Sequence, residues 1–446
     1  MGRGRKRDSQ RRIRAIALLA VLAACLSGCG GLPSIKNPFA KAEEKLPGQR
    51  IAVVTDRDLY APDQSVAGKA VALPAPGNNA SWSQPGGVAS NSLGHLALSG
   101  ESVRQVWTAD AGTGSSSRGR LSAVPLVADG KVFTMDAAGN VSAFSAGGGK
   151  RIWSESVRPK GQKSREGFGG GLALDSGRLY VTTGYGTVVA LNPSTGAVLW
   201  TKTMSGPIRS SPTAAGGKVY FVSADSKLHS LDGADGDELW TARGLPQQAA
   251  LLSNVSPAVG SGVVVASFPA GDLTAYNLGS GKTVWTDSLS RTTDNTASGI
   301  LADPARPVID HGVVFAVSHG GKMIASAEKS GERLWTRNVA STQMPWVAGD
   351  TVYVVDVTGR LLAFTRSGGK LRWVVELPQS VRWSGPVLAG GKVWLISAQG
   401  LLVGVNARTG EIVSRVDLDT AVFVTPVVAA GRMYILTDRA RLIALN

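Results

Sequence analysis

The hydrophobic pattern of this 446-residue chain consists of short apolar runs separated by small polar residues and glycine. One eleven-residue phrase recurs, with an apolar strand end, a polar turn that has glycine at its seventh position, and a second apolar run. Its copies occupy residues 143–153, 190–200, 230–240, 275–285, 325–335, 363–373 and 404–414, and an eighth begins at residue 444. Successive copies start 38 to 50 residues apart, a period typical of four-stranded propeller blades.

Each phrase predicts a tight hairpin between the third and fourth strands of a blade. Glycine at the seventh position can take the positive φ that such a hairpin requires. These glycines are Gly149, Gly196, Gly236, Gly281, Gly331, Gly369 and Gly410. Six of the seven phrases close on Trp, and the last closes on Ser414. We expect each Trp to lie in the outer strand, where its ring covers the hairpin and fills the gap to the neighbouring blade.

The two ends of the repeat region complete each other. The last unit lacks a fourth strand, whereas residues 102–107, SVRQVW, form a Trp-ended strand with no blade before it. Pairing that strand with residues 441–446 closes a ring and removes the sheet edges that invite aggregation. The sequence therefore predicts an all-β fold, an eight-bladed β-propeller of four-stranded antiparallel blades over residues 101–446, closed by the N-terminal strand and the last blade.

The first 28 residues have the pattern of a secretory signal peptide. Residues 1–14 carry seven Lys and Arg, and residues 15–26 form an apolar run of twelve. Twelve helical residues cover about 18 Å, which is too short for a hydrocarbon core of about 30 Å. The run ends in Leu26-Ser27-Gly28-Cys29, which resembles the lipobox of bacterial lipoproteins. Cys29 is then predicted to be the lipidated first residue of the mature chain; an ordinary signal peptide with incidental cysteines is the alternative.

Two segments are predicted between the lipid and the ring. Residues 29–48 are expected to be a flexible tether from the lipidated cysteine. Residues 49–100 contain four prolines and many small polar residues, which favours an extended N-terminal arm. Within the arm, residues 50–54, RIAVV, have strand composition, and Trp82 can dock on the ring.

Charge gives little indication of a nucleic-acid partner. The chain has 47 Lys and Arg against 32 Asp and Glu, a net charge of +15. The signal segment contains seven of the basic residues and Asp8, so 40 basic and 31 acidic residues remain, a balance of +9. This excess is modest for the length, and no basic block is interleaved with aromatic residues, so we expect no nucleic-acid binding.

The Trp-ended repeats are similar to those of the pyrroloquinoline-quinone-type propellers. Combined with the lipobox, RIAVV, LPAP at 73–76, WSQPGG at 82–87 and LGHLAL at 93–98, they resemble the BamB lipoproteins of alphaproteobacteria. The resemblance implies a non-catalytic scaffold of the outer-membrane β-barrel assembly (BAM) complex, lipid-anchored in the outer membrane and facing the periplasm. It implies the POTRA domains of BamA and other BAM subunits as partners, nascent outer-membrane proteins as clients, and no cofactor.

The resemblance also implies where the partner contact lies. Two long inter-blade loops, residues 243–256 and 291–306, match the positions at which family members are understood to grip BamA. The contact residues predicted from this match are Leu251, Leu252, Asn254, Asp303 and Arg306. The two leucines would form an apolar anchor with Asp303 as a polar neighbour. Burial of both leucines against the ring is the alternative.

Two other functions are compatible with the same repeat. Quinoprotein alcohol and sugar dehydrogenases use it around a central quinone and calcium, so the fold alone does not decide. Those enzymes commonly have a much longer chain and, in many alcohol-oxidising members, two adjacent cysteines near the quinone, whereas this mature chain has neither. An envelope propeller lipoprotein with another binding partner is the third hypothesis.

No catalytic or metal site is predicted from the residues. The densest acidic group is interpreted as turn chemistry around one hairpin, rather than as a calcium site. Its members are Asp225, Asp232, Asp235 and Asp237. The closest histidines, His311 and His319, would be about 27 Å apart along a continuous strand and could not share a metal. Residues 318–321, SHGG, are interpreted as a turn between two strands. An oxyanion loop of the esterase type is the alternative, but the chain lacks the G-x-S-x-G nucleophile elbow of such enzymes.

Overall fold

A computed structural model describes residues 60–100, 103–117, 119–164, 167–244, 254–290, 304–378 and 382–446. These residues form eight four-stranded antiparallel sheets arranged in sequence around a central channel. The predicted eight-bladed β-propeller is therefore confirmed. No helix in these ranges is long and apolar enough to cross a membrane.

The first four blades follow β1 (Gln105–Asp110), which belongs to the last blade. Blade 1 contains β2 (Leu126–Ala128), β3 (Lys131–Met135), β4 (Asn140–Ser145) and β5 (Arg151–Ser156). Blade 2 contains β6 (Gly170–Asp175), β7 (Arg178–Thr183), β8 (Thr187–Leu191) and β9 (Val198–Thr203). Blade 3 contains β10 (Thr213–Ala215), β11 (Lys218–Val222), β12 (Lys227–Asp232) and β13 (Glu238–Arg243). Blade 4 contains β14 (Ala258–Val259), β15 (Val263–Ser267), β16 (Asp272–Asn277) and β17 (Thr283–Ser288).

The other four blades repeat the same order from the inner strand outward. Blade 5 contains β18 (Val308–Asp310), β19 (Val313–Val317), β20 (Met323–Ala327) and β21 (Arg333–Arg337). Blade 6 contains β22 (Trp346–Ala348), β23 (Thr351–Val355), β24 (Arg360–Thr365) and β25 (Leu371–Glu376). Blade 7 contains β26 (Trp383–Ala389), β27 (Lys392–Ser397), β28 (Leu401–Asn406) and β29 (Ile412–Asp417). Blade 8 contains β30 (Val427–Ala429), β31 (Arg432–Leu436), β32 (Arg441–Leu445) and β1.

Blade 8 closes the ring as the sequence predicts. Strand β1 pairs with β32 in antiparallel register, with Trp107 opposite Ala444 and Asp110 opposite Arg441. The strand differs from the prediction in its bounds, because it continues three residues past Trp107 instead of ending there. All outer strands that carry a Trp continue beyond it, since the residues after the ring still pair with the third strand.

Neighbouring blades are joined by the Trp of one outer strand and the hairpin glycine of the next blade. A Cβ added to Gly149 would lie 2.6 Å from Trp107 Cε3, and one added to Gly196 would lie 2.7 Å from Trp153 Cε3. The same contact recurs at Gly236, Gly281, Gly331, Gly369 and Gly410, and all seven glycines have positive φ. Six of the indole nitrogens also donate to a carbonyl of the next blade, at 2.8 to 3.2 Å. The predicted role of the Trp is confirmed.

Blade 7 explains why Ser414 replaces the Trp. Its outer strand faces blade 8, in which β32 and β1 are not joined by a hairpin, so there is no turn glycine for a Trp to cover. The large ring is supplied from the second strand instead. Trp394 is 1% exposed and lies directly opposite Gly404, which in turn lies opposite Ser414.

Residues 71–99, which we call the inner arm, circle one end of the channel. In chain order they hydrogen-bond the ends of the inner strands of all eight blades. The ring residues to which the arm is bonded, in this order, are Asp350 in blade 6, Ala430 in blade 8, Val127 in blade 1, Leu174 in blade 2, Ala214 in blade 3, Val259 in blade 4, Ile309 in blade 5, Leu388 in blade 7 and Gly431 in blade 8. After one circuit the arm meets itself, because Ala97 N donates to Gly77 O at 2.8 Å. The predicted docking of Trp82 is confirmed, since its ring is 1% exposed and stacks on Trp346 at 6.1 Å.

Gln84 is the most heavily bonded side chain of the inner arm. Its Nε2 donates to Leu174 O at 3.0 Å and to Ala214 O at 2.9 Å, while its Oε1 accepts from Ala214 N at 2.9 Å. It therefore bonds blades 2 and 3 at the same time, and it is only 2% exposed. The predicted tether limit near residue 48 and the RIAVV segment lie outside the described residues.

We predict that Gln84→Ala lowers the free energy of unfolding by about 2 to 3 kcal/mol, because it leaves three buried backbone groups without partners. Urea denaturation of the purified protein measures the change. Gln64→Ala is the matched control, since Gln64 is an exposed arm residue, and it should shift stability by less than about 0.5 kcal/mol. Equal effects of the two substitutions would contradict this role of Gln84.

Candidate functional site

The two ends of the central channel differ. The inner arm covers the end at which the inner strands finish, and we call this side the arm face. At the opposite end the inter-blade segments enter the inner strands and surround an open cavity of about 730 Å³. We call this cavity the funnel and this side the funnel face. Both loops predicted to contact the partner begin and end on the funnel face.

Both polar atoms of the Asn254 side chain are hydrogen-bonded to the ring. Its Nδ2 donates to Ser122 O at 2.8 Å and to Gly170 O at 2.9 Å, and its Oδ1 accepts from Ser211 Oγ at 2.5 Å. These partners precede or begin blades 1, 2 and 3, while Asn254 itself precedes blade 4. The predicted contact residue is therefore a tie between four blades, and it fixes the end of the loop that contains Leu251 and Leu252.

Arg306 lies in the wall of the funnel beside Asn254. Its Nη2 donates to Asn254 O at 2.7 Å, so the ends of the two predicted contact loops are bonded to each other. Its Nε is buried and has no hydrogen-bond partner within the described ranges. Burial lowers the pKa of the Arg306 guanidinium to about 10. It remains positively charged at pH 7.

The other three predicted contact residues, Leu251, Leu252 and Asp303, lie outside the described residues. The first described residues after them, Asn254 and Pro304, both line the funnel. The structure thus brings the C-terminal ends of the two loops together at one rim. Nothing in the hydrophobic pattern indicated the inward orientation of Asn254, because its partners lie 43, 84 and 132 residues away.

The histidines occupy separate structural positions. His311 follows β18 at the arm face, with its Nδ1 3.1 Å from Asp310 Oδ1, whereas His319 follows β19 and lines the funnel. His95 joins the inner arm to blade 7, since its Nδ1 is 2.8 Å from Pro74 O and Gly391 N donates to its Nε2 at 2.9 Å. Residues 318–321 form the predicted turn, closed by the bond from Gly321 N to Ser318 O.

The acidic group is only partly arranged as predicted. Asp232, Asp235 and Asp237 surround the β12–β13 hairpin, where the first two accept bonds from turn amides. Asp225 does not belong to this hairpin: it lies at the other end of β12, in the β11–β12 turn, and pairs with Lys227 at 2.6 Å. The prediction placed all four around one turn and overlooked the strand between them. Across the described part of the chain, no three His, Cys, Asp or Glu side chains are grouped so that they could hold a metal ion.

One cluster in blade 3 has the connectivity of a catalytic relay, which no sequence pattern indicated. His229 Nε2 lies 2.9 Å from Ser223 Oγ, and His229 Nδ1 lies 2.9 Å from Glu238 Oε2. Ser223 is only 6% exposed, and its hydroxyl also lies 2.5 Å from Asp225 Oδ1. Ser223 occupies the same turn position as Asp356 of blade 6, which accepts bonds from the amides of its own turn. We therefore assign the cluster to turn stabilisation.

The sequence is similar to known proteins over most of its length. Residues 45–167, 138–375 and 358–446 match a family model described as outer membrane protein assembly factor BamB. The outer membrane protein assembly factor BamB of Salmonella typhimurium is 30% identical over 316 residues, which are 70% of this chain and 81% of that protein.

Solved structures show the same fold. The crystal structure of BamB from Moraxella catarrhalis matches with a TM-score of 0.66 at 18% identity, covering 77% of this chain and 99% of that one. The quinohemoprotein alcohol dehydrogenase of Comamonas testosteroni also matches with a TM-score of 0.66, at 15% identity over 82% of this chain and 80% of that one. At such identities the likeness concerns the fold alone.

We predict that Asn254→Ala lowers the free energy of unfolding by about 2 to 3 kcal/mol, because three partly buried hydrogen bonds between blades are lost. Thermal and urea unfolding of the purified protein measure the loss. Gln343→Ala is the matched control: Gln343 also lines the funnel, but its amide makes one long contact, at 3.4 Å to Thr342 Oγ1. An Asn254→Ala protein as stable as this control would refute the role of Asn254 as an inter-blade tie.

Proposed function

The chain belongs to the BamB family of outer-membrane protein assembly factors, and from this we propose that it is a non-catalytic scaffold of the BAM complex. The observation that carries the proposal is the family match, which extends from residue 45 to residue 446 and so includes the arm and the whole ring. In this role the protein binds BamA and assists the delivery and insertion of outer-membrane β-barrel proteins.

The proposed BamA contact is the rim of the funnel where the two loops meet. The bond between Arg306 Nη2 and Asn254 O supports this location, because it holds the ends of both loops together. Leu251 and Leu252 supply the apolar anchor and Asp303 a polar neighbour for a POTRA surface. Asn254 and Arg306 contribute by positioning these residues, since Asn254 has no free polar atom left on its side chain.

The proposed location is the outer membrane, with the ring facing the periplasm and Cys29 carrying the lipid. Two or three acyl chains hold a protein firmly to a bilayer, because each buried methylene contributes about 0.8 kcal/mol. The long segment between Cys29 and the ring then allows the ring to reach periplasmic partners.

The dehydrogenase hypothesis has weaker support. Its basis here is the fold, which this chain shares with a quinohemoprotein alcohol dehydrogenase at 15% identity. The family match favours an assembly factor over an enzyme. A direct comparison of the two functions is affinity purification of the C-terminally tagged protein from its native envelope, with mass spectrometry of co-purified proteins and quinones.

In that experiment we expect recovery of BamA without quinone, and loss of at least 10-fold of the BamA when Leu251 and Leu252 are both replaced by Asp. The reason is that two carboxylates cannot be buried in an apolar contact without partners. The matched control replaces Val198 and Leu199 with Asp. This is also an adjacent aliphatic pair, 47% and 48% exposed on the outer strand of blade 2.

Undiminished BamA recovery by a folded Leu251→Asp, Leu252→Asp protein would exclude the proposed contact. An equal loss in the Val198 and Leu199 control would show a general effect of added charge. Recovery of quinone and calcium without BamA would support the dehydrogenase hypothesis instead.

We predict that Cys29→Ser abolishes incorporation of labelled palmitate and releases the protein from the membrane fraction, because no other thiol of the mature chain can be acylated. Cys25→Ser is the control and should keep both label and membrane attachment, since residue 25 is predicted to leave with the signal peptide. Label retained after Cys29→Ser would refute the lipobox assignment.

A further inference from the structure

We propose that the funnel is a binding site for a short, extended and anionic segment of polypeptide, whose carboxylates pair with arginines of the wall while a neighbouring apolar side chain lies on the aromatic rim. This inference deepens the proposed function and rests on it in one respect, since barrel-protein assembly supplies unfolded chain as a ligand. The site lies inside the funnel, whereas the proposed BamA contact lies at its rim, and Asn254 and Arg306 border both.

The wall of the funnel carries an excess of positive charge. Four arginines line it, namely Arg120, Arg209, Arg306 and Arg382, against two carboxylates, Asp356 and Asp438. The charge of Asp356 is already compensated within its own turn, because its Oδ1 accepts from Thr358 N at 2.9 Å and from Arg360 N at 2.8 Å. Among the described lining residues the arginines therefore outnumber the carboxylates, which favours the entry of an anion.

Arg306 is the strongest single indication of an anionic ligand. Within the described residues its guanidinium makes one hydrogen bond, to a backbone carbonyl, and its buried Nε has no partner. Among these residues no carboxylate pairs with it, and an incoming carboxylate would compensate the cost of burying the charge through charge-assisted hydrogen bonds. The guanidinium fork fits a carboxylate better than a point charge would.

Arg209 provides a second, pre-positioned guanidinium. Its Cζ lies 4.6 Å from the centre of the Phe168 ring, a cation–π arrangement that restricts the side chain. Both residues line the funnel. A Cβ on Gly169 would lie 3.1 Å from Arg209 Cα, so the glycine permits this close approach. Arg209 is thus held at the wall before any ligand arrives, which reduces the entropy lost on binding.

The wall also has apolar residues, including an exposed aromatic ring. Met344, Trp383 and Phe423 line the funnel, and Phe423 is 44% exposed. A volume of about 730 Å³ lies within the range of specific ligand sites. Because the inner arm circles the other end of the channel, we place the entry of the ligand at the open mouth of the funnel. A short segment with acidic and apolar side chains matches these features.

The test uses a fluorescein-labelled decapeptide of alternating Thr and Val residues with two central Glu, and the same peptide with Gln in place of Glu. Binding to the detergent-solubilised full-length protein is measured by fluorescence anisotropy. We expect the Glu peptide to bind at least 10-fold more tightly than the Gln peptide, and to weaken as salt increases. Arg209→Gln and Arg306→Gln should each weaken binding by about 5-fold to 10-fold.

Arg415→Gln is the matched control, because Arg415 is an exposed arginine on the outer strand of blade 7, and it should leave the affinity unchanged. If Arg306→Gln fails to fold, Arg209→Gln and Arg120→Gln decide the question, since Arg120 is exposed at the mouth.

Equal affinity for the Glu and Gln peptides would overturn the proposal, as would an equal loss in the Arg415→Gln control. Binding of inorganic phosphate or free pyrroloquinoline quinone without binding of the Glu peptide would also overturn it, in favour of a small-anion site. BamA recovery and peptide binding by the wild-type protein separate the two proposals. Intact BamA recovery without peptide binding by the wild-type protein refutes the funnel site alone, whereas absent BamA recovery with the wild-type protein refutes the proposed function.

Discussion

The contact on which the ring depends is that of a Trp ring with the hairpin glycine of the next blade. The indole covers a backbone that has no side chain of its own, and its nitrogen donates to a carbonyl that the turn would otherwise leave exposed. The glycine is required twice, once for its positive φ and once because a Cβ would occupy the space of the ring. Each blade is thereby held chiefly by its neighbours, as in other repeat proteins.

The same contact explains the irregular positions of the repeat. A blade needs an outer Trp only where the following blade has a hairpin, and blade 8, assembled from two distant parts of the chain, has none. Blade 7 therefore needs no outer Trp and has Ser414 in that position. The large ring of this sheet is Trp394, on the second strand, which lies opposite Gly404 of the third strand. Closure of the ring therefore depends on the pairing of β1 with β32, two strands from opposite ends of the repeat region.

The fold could be predicted from the sequence because the repeat is periodic, and periodicity reports which residues share a local environment. The path of the inner arm could not be predicted, since its backbone and amide bonds to the blades come from residues that follow no repeated sequence pattern. For the candidate site, the sequence predicted only which two loops, residues 243–256 and 291–306, contain the contact residues. The orientation of Asn254 depends on carbonyls and a hydroxyl supplied by three other blades, and no local pattern encodes such a convergence. Asp225 was misplaced because spacing alone cannot show that a strand separates two turns.

The inner arm bonds to blades 8, 1, 2, 3, 4, 5, 6, 7 and again 8 in that order as the chain runs from Asn79 to Ser99. Each contact is made to one particular blade of the ring. A gene duplication that added a ninth blade, or a deletion that removed one, would therefore put the later contacts of the arm out of step with the blades. The arm thus acts as a gauge of blade number, whereas an insertion in a loop of the funnel face would leave that number unchanged.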